Sequence, residues 1–281
     1  MTSIEPVAPD DDDASELDEL PLWSAPFGLK LLELVRLRPD LTALDVGFGT
    51  GFPLLELAMR LGPSARVHGL DPWAAAHRVA ARKRKRHRLA NVWLHVGVAE
   101  AMPFRERSFD CVVSNNGYNN VADRVGAFRE TARVCRPGAQ LVFTMNLDGS
   151  FRELHDELDR VLADEGLAAS MAALRGFIAS RRPPLADVLR AVADAGFAVE
   201  TVAHDAFAFR LASAAAVAGH AFFRDHQLPS LREIVPAERR TAVFDELARR
   251  LDARAAGDGE LRLSVPFVTV AARREVASTS S

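Results

Sequence analysis

The 281-residue chain has two cysteines, Cys111 and Cys135. One falls in a predicted strand and the other on the apolar side of a predicted helix. Both read as small buried hydrophobes, so no disulfide or metal site is expected, and no paired Cys/His ligand spacing occurs. Long apolar runs are missing as well. The longest candidate, 211–219, is alanine-rich and far short of a membrane span. Residues 1–20 contain eight acids and no Lys or Arg. A basic secretory leader is therefore not expected, and a cytoplasmic location is the default. Such an acidic tail is predicted to be disordered, and it leaves the rest of the chain mildly basic.

What is present is apolar material: 48% of residues are hydrophobic, enough for a large core. The simplest organisation is a single domain over 21–274 with helical cap insertions at about 147–183 and 212–256, and a loose tail at 275–281. The first insertion carries helical spacings at Leu154, Leu158, Val161 and Leu162, the second at Val243, Phe244, Leu247 and Leu251.

The chain is organised around residues 41–73. An apolar strand ends in Asp45 and is followed by three glycines at alternate positions, Gly47, Gly49 and Gly51. Leu54, Leu57, Ala58 and Leu61 then mark one helix face, with Pro53 in the first turn and Gly62 as the stop. A second short strand ends in Asp71, twenty residues beyond Gly51. A strand that turns sharply into a helix beside a ligand needs positive φ and close backbone approach, which glycine supplies. The nicotinamide dinucleotide fingerprint G-x-G-x-x-G would require glycine where Phe52 stands, so that cofactor fits poorly.

The D-x-G-x-G-x-G run with an acid at the next strand end resembles the cofactor motif of class I S-adenosylmethionine-dependent methyltransferases. Gly97-Val98-Ala99-Glu100-Ala101-Met102-Pro103-Phe104, followed by Phe109-Asp110, is similar to the family's G-D-A-E-x-L-P-F…F-D segment. Residues 130–139 are similar to its E-x-x-R-V-x-x-P-G-G, with Ala139 for the last glycine. The likeness is to the small-molecule branch typified by ubiquinone and menaquinone biosynthesis. It implies an α/β fold, a Rossmann-like, mostly parallel seven-stranded sheet flanked by helices, with S-adenosyl-L-methionine as cofactor. On that resemblance Asp71 binds the ribose, while Gly47, Gly49, Gly51 and Asp45 surround the methionine end. The backbone of Ala99 meets the adenine ring, and Trp73 and Met102 sandwich it. Val98 replaces the family's acid for the adenine amino group, and Asn115 lies near the departing sulfur.

The acceptor side is less marked. Asn115 to Asn120 follows the fourth strand, beside the point where strand order should reverse and open α/β sheets bind ligands. Asn115-x-x-Tyr118 echoes the N-P-P-Y of amine methyltransferases without its prolines, which gives Tyr118 a substrate-side role. A hydroxyl acceptor calls for a general base; His155 and His220 are the candidates, His220 the preferred one. His68 and His95 lie in predicted strands and read as structural.

The expected function is methyl transfer to an O, N or C nucleophile of a small-molecule acceptor. Two alternatives stay open: an RNA or protein methyltransferase using the basic stretch 82–88, and a non-catalytic nucleotide-binding module. The basic stretch has no interleaved aromatics and reads more simply as a solvated helix face, so the expected partner is a small molecule rather than nucleic acid or membrane.

Overall fold

The computed structural model describes residues 23–276. The acidic segment 1–20, and the last tail beyond Val276, lie outside the described residues.

Seven strands, β1 (Thr42–Val46), β2 (Arg66–Asp71), β3 (Val92–Val96), β4 (Phe109–Asn115), β5 (Cys135–Asn146), β6 (Phe197–Leu211) and β7 (Leu261–Arg274), form one mixed sheet in the order β3-β2-β1-β4-β5-β7-β6. The chain enters through helix α1 (Ala25–Leu34) and the central strand β1 (Thr42–Val46). It moves outward through α2 (Leu54–Leu61), β2 (Arg66–Asp71), α3 (Ala74–Arg86) and β3 (Val92–Val96). It then returns to the other side of β1 with β4 (Phe109–Asn115), α4 (Arg124–Val134) and β5 (Cys135–Asn146). The paired strands β3, β2, β1, β4 and β5 run parallel. The direction of winding reverses between β1 and β4, and there the carboxyl ends of two neighbouring strands diverge into separate loops. The Rossmann-like sheet expected from the sequence is present.

The core follows the predicted periodicities. Leu54, Leu57 and Ala58 of α2 are buried against the sheet with Leu31 of α1 and Ala43 of β1. Asp123 caps α4, its carboxylate accepting from the Gly126 N–H at 2.9 Å. One local expectation changes: the helix stops at Val134, so Cys135 opens β5, paired with Phe109, instead of lying on the helix. Both cysteines are free and buried. The basic residues of α3 lie along its last turns, and Arg82, Lys85, Arg86 and Arg88 are exposed.

The chain divides into two compact units. The first holds the residues through Met145, Ala186–Ala203 and the chain from Val268; the second holds Asn146–Leu185 and His204–Phe267. The first unit includes α7 (Leu185–Asp194), and β6 (Phe197–Leu211) and β7 (Leu261–Arg274) run through both. In the second, α5 (Arg152–Asp164) buries Leu154, Leu158, Val161 and Leu162. The helix α10 (Arg240–Asp258) packs on it with Val243, Leu247 and Leu251 buried. Between them in sequence come α6 (Ala168–Arg181), α8 (Ala214–Gly219), a π-helical turn (Phe222–Gln227) and α9 (Leu228–Ile234). The unit also takes in parts of β6 and β7. Among the described residues no helix is long and apolar enough to cross a membrane.

Candidate active site

Two loops meet at the β1/β4 switch. After Val46 the chain enters Gly47 at φ +78°, whose N–H donates to the Leu70 carbonyl at 2.8 Å. A Cβ on Gly47 would lie 2.8 Å from the Cα of Gly117 in the loop after β4. A Cβ on Gly117 would in turn meet the Val46 carbonyl oxygen, and the Ser114 Oγ at 2.5 Å. Ser114 donates to that same Val46 carbonyl at 2.7 Å, locking the two strand ends together. Gly117 is thus as much a part of the glycine turn as Gly47, and the 41–73 stretch could not reveal it. Its one signal in sequence is its position two residues past the fourth strand.

Asp71 organises the turn. One carboxylate oxygen accepts the Gly49 N–H and the other the Trp73 N–H, each at 2.8 Å. Its backbone carbonyl accepts from the Gly97 N–H at 3.2 Å, which brings the loop after β3 alongside. Burial raises the Asp71 pKa, and the two N–H donors and His77 pull it back. Each carboxylate oxygen has two acceptor sites, so a diol can still be held here after the backbone bonds are counted. Gly49, at φ +52°, has open space where a side chain would be.

Asp45 is fully buried, and neither of its oxygens has a hydrogen-bond partner among the described residues. Desolvation, reinforced by the charge of Asp71, pushes its pKa up to about 8; the Leu54 N–H moderates the shift without reaching hydrogen-bond geometry. An orphaned buried carboxyl is costly unless a ligand supplies a partner. Asp45 and Asp71 together suit a cationic ligand that carries a diol. That is the chemistry of S-adenosylmethionine, with its ammonium, sulfonium and ribose, so the residues present fit the group.

Trp73 is half-buried over Ala75 and Val79, and Met102 is buried, its N–H held by Glu130 at 2.9 Å. Val98 is 44% exposed, whereas Ala99 is buried. The side chain of Asn115 is already engaged: its Nδ2 donates to the Ser24 carbonyl at 3.1 Å, and its Oδ1 accepts from Thr144 at 2.9 Å. It therefore ties the start of α1 and β5 to the end of β4. Tyr118 does not reach the site surface. It is wholly buried against Phe128 and Phe143 with its hydroxyl 2.6 Å from Thr131 Oγ1, and burial pushes its pKa up further. A substrate-side role for Tyr118 is corrected to a core role: its ring completes an aromatic cluster that local spacing does not show.

His220 belongs to the second unit, at the end of α8. Its Nδ1 is buried with no partner, and its ring stands edge-on to Phe209 and Phe223. His155, also in that unit, is buried, and desolvation lowers its pKa to about 4, which leaves a weak base. His68 and His95 are paired at 3.0 Å across β2 and β3, as structural residues.

The methyltransferase-domain family model matches residues 44–143. The chain is 32% identical over 259 residues to nocamycin O-methyltransferase of Saccharothrix syringae, covering 88% of this chain and 90% of the relative. It is 40% identical over 100 residues to demethylmenaquinone methyltransferase of Geobacillus sp. (strain WCH70), a match that spans 36% of this chain and 43% of that protein. The YcgJ protein from Bacillus subtilis shares the fold, with a TM-score of 0.59 at 16% identity over 90% of this chain and 99% of that one. The glycine turn, the two buried acids and the near full-length similarity agree: the chain belongs to the class I S-adenosylmethionine-dependent methyltransferases.

Proposed function

We propose that this enzyme methylates an oxygen of a small-molecule acceptor, with the cofactor held at the β1/β4 switch. The observation that carries the acceptor reading is the extent of similarity to a relative named as an O-methyltransferase, 88% of this chain, which runs through the second unit as well as the shared motifs. In this reading Asp71 accepts the ribose hydroxyls and Asp45 faces the ammonium and sulfonium end. Gly47, Gly49 and Gly51 let the backbone approach. The Ala99 N–H and the faces of Trp73 and Val98 receive the adenine. A cytoplasmic location accompanies the reading, since both cysteines are free buried thiols.

The bound cofactor supplies a methyl group on a sulfonium, already activated for in-line displacement. The protein has then to align the acceptor oxygen and exclude water, and proximity alone provides much of the acceleration. His220 is the proposed base for a hydroxyl acceptor, because its Nδ1 has no hydrogen-bond partner among the described residues. The test is acceptor-dependent release of S-adenosylhomocysteine across a set of phenols, enols and carboxylic acids, followed with methyl-labelled cofactor. Label recovered in an O-methyl product supports the proposal; label recovered only in RNA or protein overturns it. With a hydroxyl acceptor, His220→Gln is expected to lower kcat by about 10²–10⁴.

Asp45 makes cofactor binding proton-linked. Its folded value of about 8 lies above the ordinary 3.8. Its contribution to the stability of the free protein is therefore full below about pH 4 and is lost as pH rises through 8. A cationic ligand requires the ionised form. Affinity for S-adenosylmethionine is expected to rise up to about tenfold per pH unit between pH 6 and 8 and then level off. Calorimetry in buffers of different ionisation enthalpy should show a proton released at pH 7, and Asp45→Asn should abolish that release. A flat pH profile with no proton release would remove Asp45 from the cofactor site.

A further inference from the structure

The second unit contains a buried cation with no ion-pair partner among the described residues. Arg182, just past the end of α6, is 6% exposed, and neither its Nε nor its Nη1 has a hydrogen-bond partner among the described residues. No carboxylate among the described residues lies within ion-pair distance of it; exposed Asp148 acts only through its longer-range field. The guanidinium carbon lies 6.0 Å from the ring centre of Phe151. Phe151 is the hub of an aromatic cluster: Phe209, Phe222 and Phe223 pack on it at centroid distances of 6.1, 5.9 and 5.4 Å. His155 stands edge-on to Phe151 and His220 edge-on to Phe209. The unpartnered nitrogens of Arg182, His155 and His220 therefore gather around one apolar cluster.

Folding alone does not favour this arrangement. A buried guanidinium without a partner is strongly unfavourable, whereas an apolar residue of similar size would pack there at little cost. A ligand changes the balance. Arginine presents its donors in a planar fork that matches a carboxylate or enolate, and aromatic faces receive a flat apolar body. Apolar lining with a few convergent polar groups is the usual composition of a small-molecule site.

We propose that Arg182 is the acceptor-recognition residue of this enzyme: the acceptor is an apolar, unsaturated small molecule that carries an acidic oxygen, and its anion pairs with Arg182 while its body lies against the Phe151 cluster. The assignment names the substrate class and rests on the methyltransferase reading. It extends that reading from the cofactor to the molecule that receives the methyl group. Arg182 selects by charge, so an acid and its uncharged amide, equal in shape, are told apart.

The test uses the full chain and four probe pairs: benzoic, 1-naphthoic, 2-naphthoic and anthracene-9-carboxylic acids, each against its primary amide. Binding is measured by ligand-observed NMR titration with and without saturating S-adenosylhomocysteine, for wild type, Arg182→Met and Arg182→Lys. At least one acid is expected to bind wild type ten times or more tightly than its amide. The preference should fall to within twofold in Arg182→Met and be partly kept in Arg182→Lys. Removal of an uncompensated cation should also leave the ligand-free melting temperature of Arg182→Met equal to or above that of wild type. Three outcomes overturn the proposal: no acid preferred over its amide, a preference that survives in Arg182→Met, or a lower melting temperature in that variant, which would mark Arg182 as structural. S-adenosylhomocysteine affinity is read separately. Its absence in wild type would sink the cofactor assignment whatever Arg182 does, and its retention in Arg182→Met would localise the change to the acceptor.

Discussion

Asp71→Ala is expected to weaken S-adenosylmethionine binding by about 3 kcal/mol, roughly a hundredfold, with a smaller loss of stability in the absence of cofactor. The carboxylate has two duties. It holds the glycine turn through Gly49 and the start of α3 through Trp73, and its remaining acceptor positions are those a ribose diol would use. Alanine removes all of them and leaves two backbone N–H groups to find water. Asp71→Asn separates the duties, because the amide retains one acceptor oxygen and loses the charge. It should fold with a stability nearer to wild type and still bind cofactor at least tenfold more weakly. Calorimetric titration of both variants, each first checked by thermal melting, is the measurement. Wild-type affinity in a folded Asp71→Ala protein would remove the acid from the cofactor site and leave it a purely structural cap.

Gly117→Ala is expected to cost about 1–3 kcal/mol of stability, the usual range for forcing an atom into packed space, and to lower cofactor affinity at least tenfold. The added methyl would press on the Val46 carbonyl oxygen and on Ser114 Oγ, which donates a hydrogen bond to that oxygen. Neither can retreat freely. Val46 is the last residue of a strand paired on both sides, and Ser114 belongs to the neighbouring strand. The loop after β4 must therefore move away, which separates Gly117 from Gly47. A helical glycine provides the control: a Cβ added at Gly176, in α6, would have nothing within 4 Å. Gly176→Ala should be neutral or stabilise the protein by up to about 1 kcal/mol. The melting temperature of Gly117→Ala should fall by several degrees while that of Gly176→Ala holds or rises. Equal melting temperatures for the two variants would mean that the contact at the switch is soft.

The pH effect at Asp45 has a different origin from either steric or hydrogen-bond loss. Asp45 and Asp71 sit near the ends of adjacent strands, and Asp45 pairs in register with Gly69, just before Leu70 and Asp71. Two buried carboxylates so close cannot both ionise cheaply, and the one without donors takes the proton. Gly49 and Trp73 donate to Asp71 and so favour its charged form against burial, while Asp45 depends on a ligand to ionise. The free protein thus stores at Asp45 a demand for positive charge, which links cofactor binding to proton release.

The sequence by itself determined the cofactor half of this protein. A strand, a glycine turn, an amphipathic helix and a second acid-tipped strand are local patterns, each written in residues that are neighbours along the chain. The period of 3.6 or 2, the positive φ at Gly47, Gly49 and Gly51, and the order of the segments fix the β1/β4 switch and place Asp45 and Asp71 at it. Only the tertiary structure decided which side chains were free to act. Asn115 is spent on the Ser24 carbonyl, 91 residues away in sequence, and on Thr144. Tyr118 is closed in between Phe128 and Phe143, Gly117 is pressed against the end of β1, and Arg182 is buried with its Nε and Nη1 lacking hydrogen-bond partners among the described residues. Periodicity reports which face of an element is apolar. It carries no record of which distant partner satisfies a given hydroxyl, amide or guanidinium, because that is settled only when separate segments pack together.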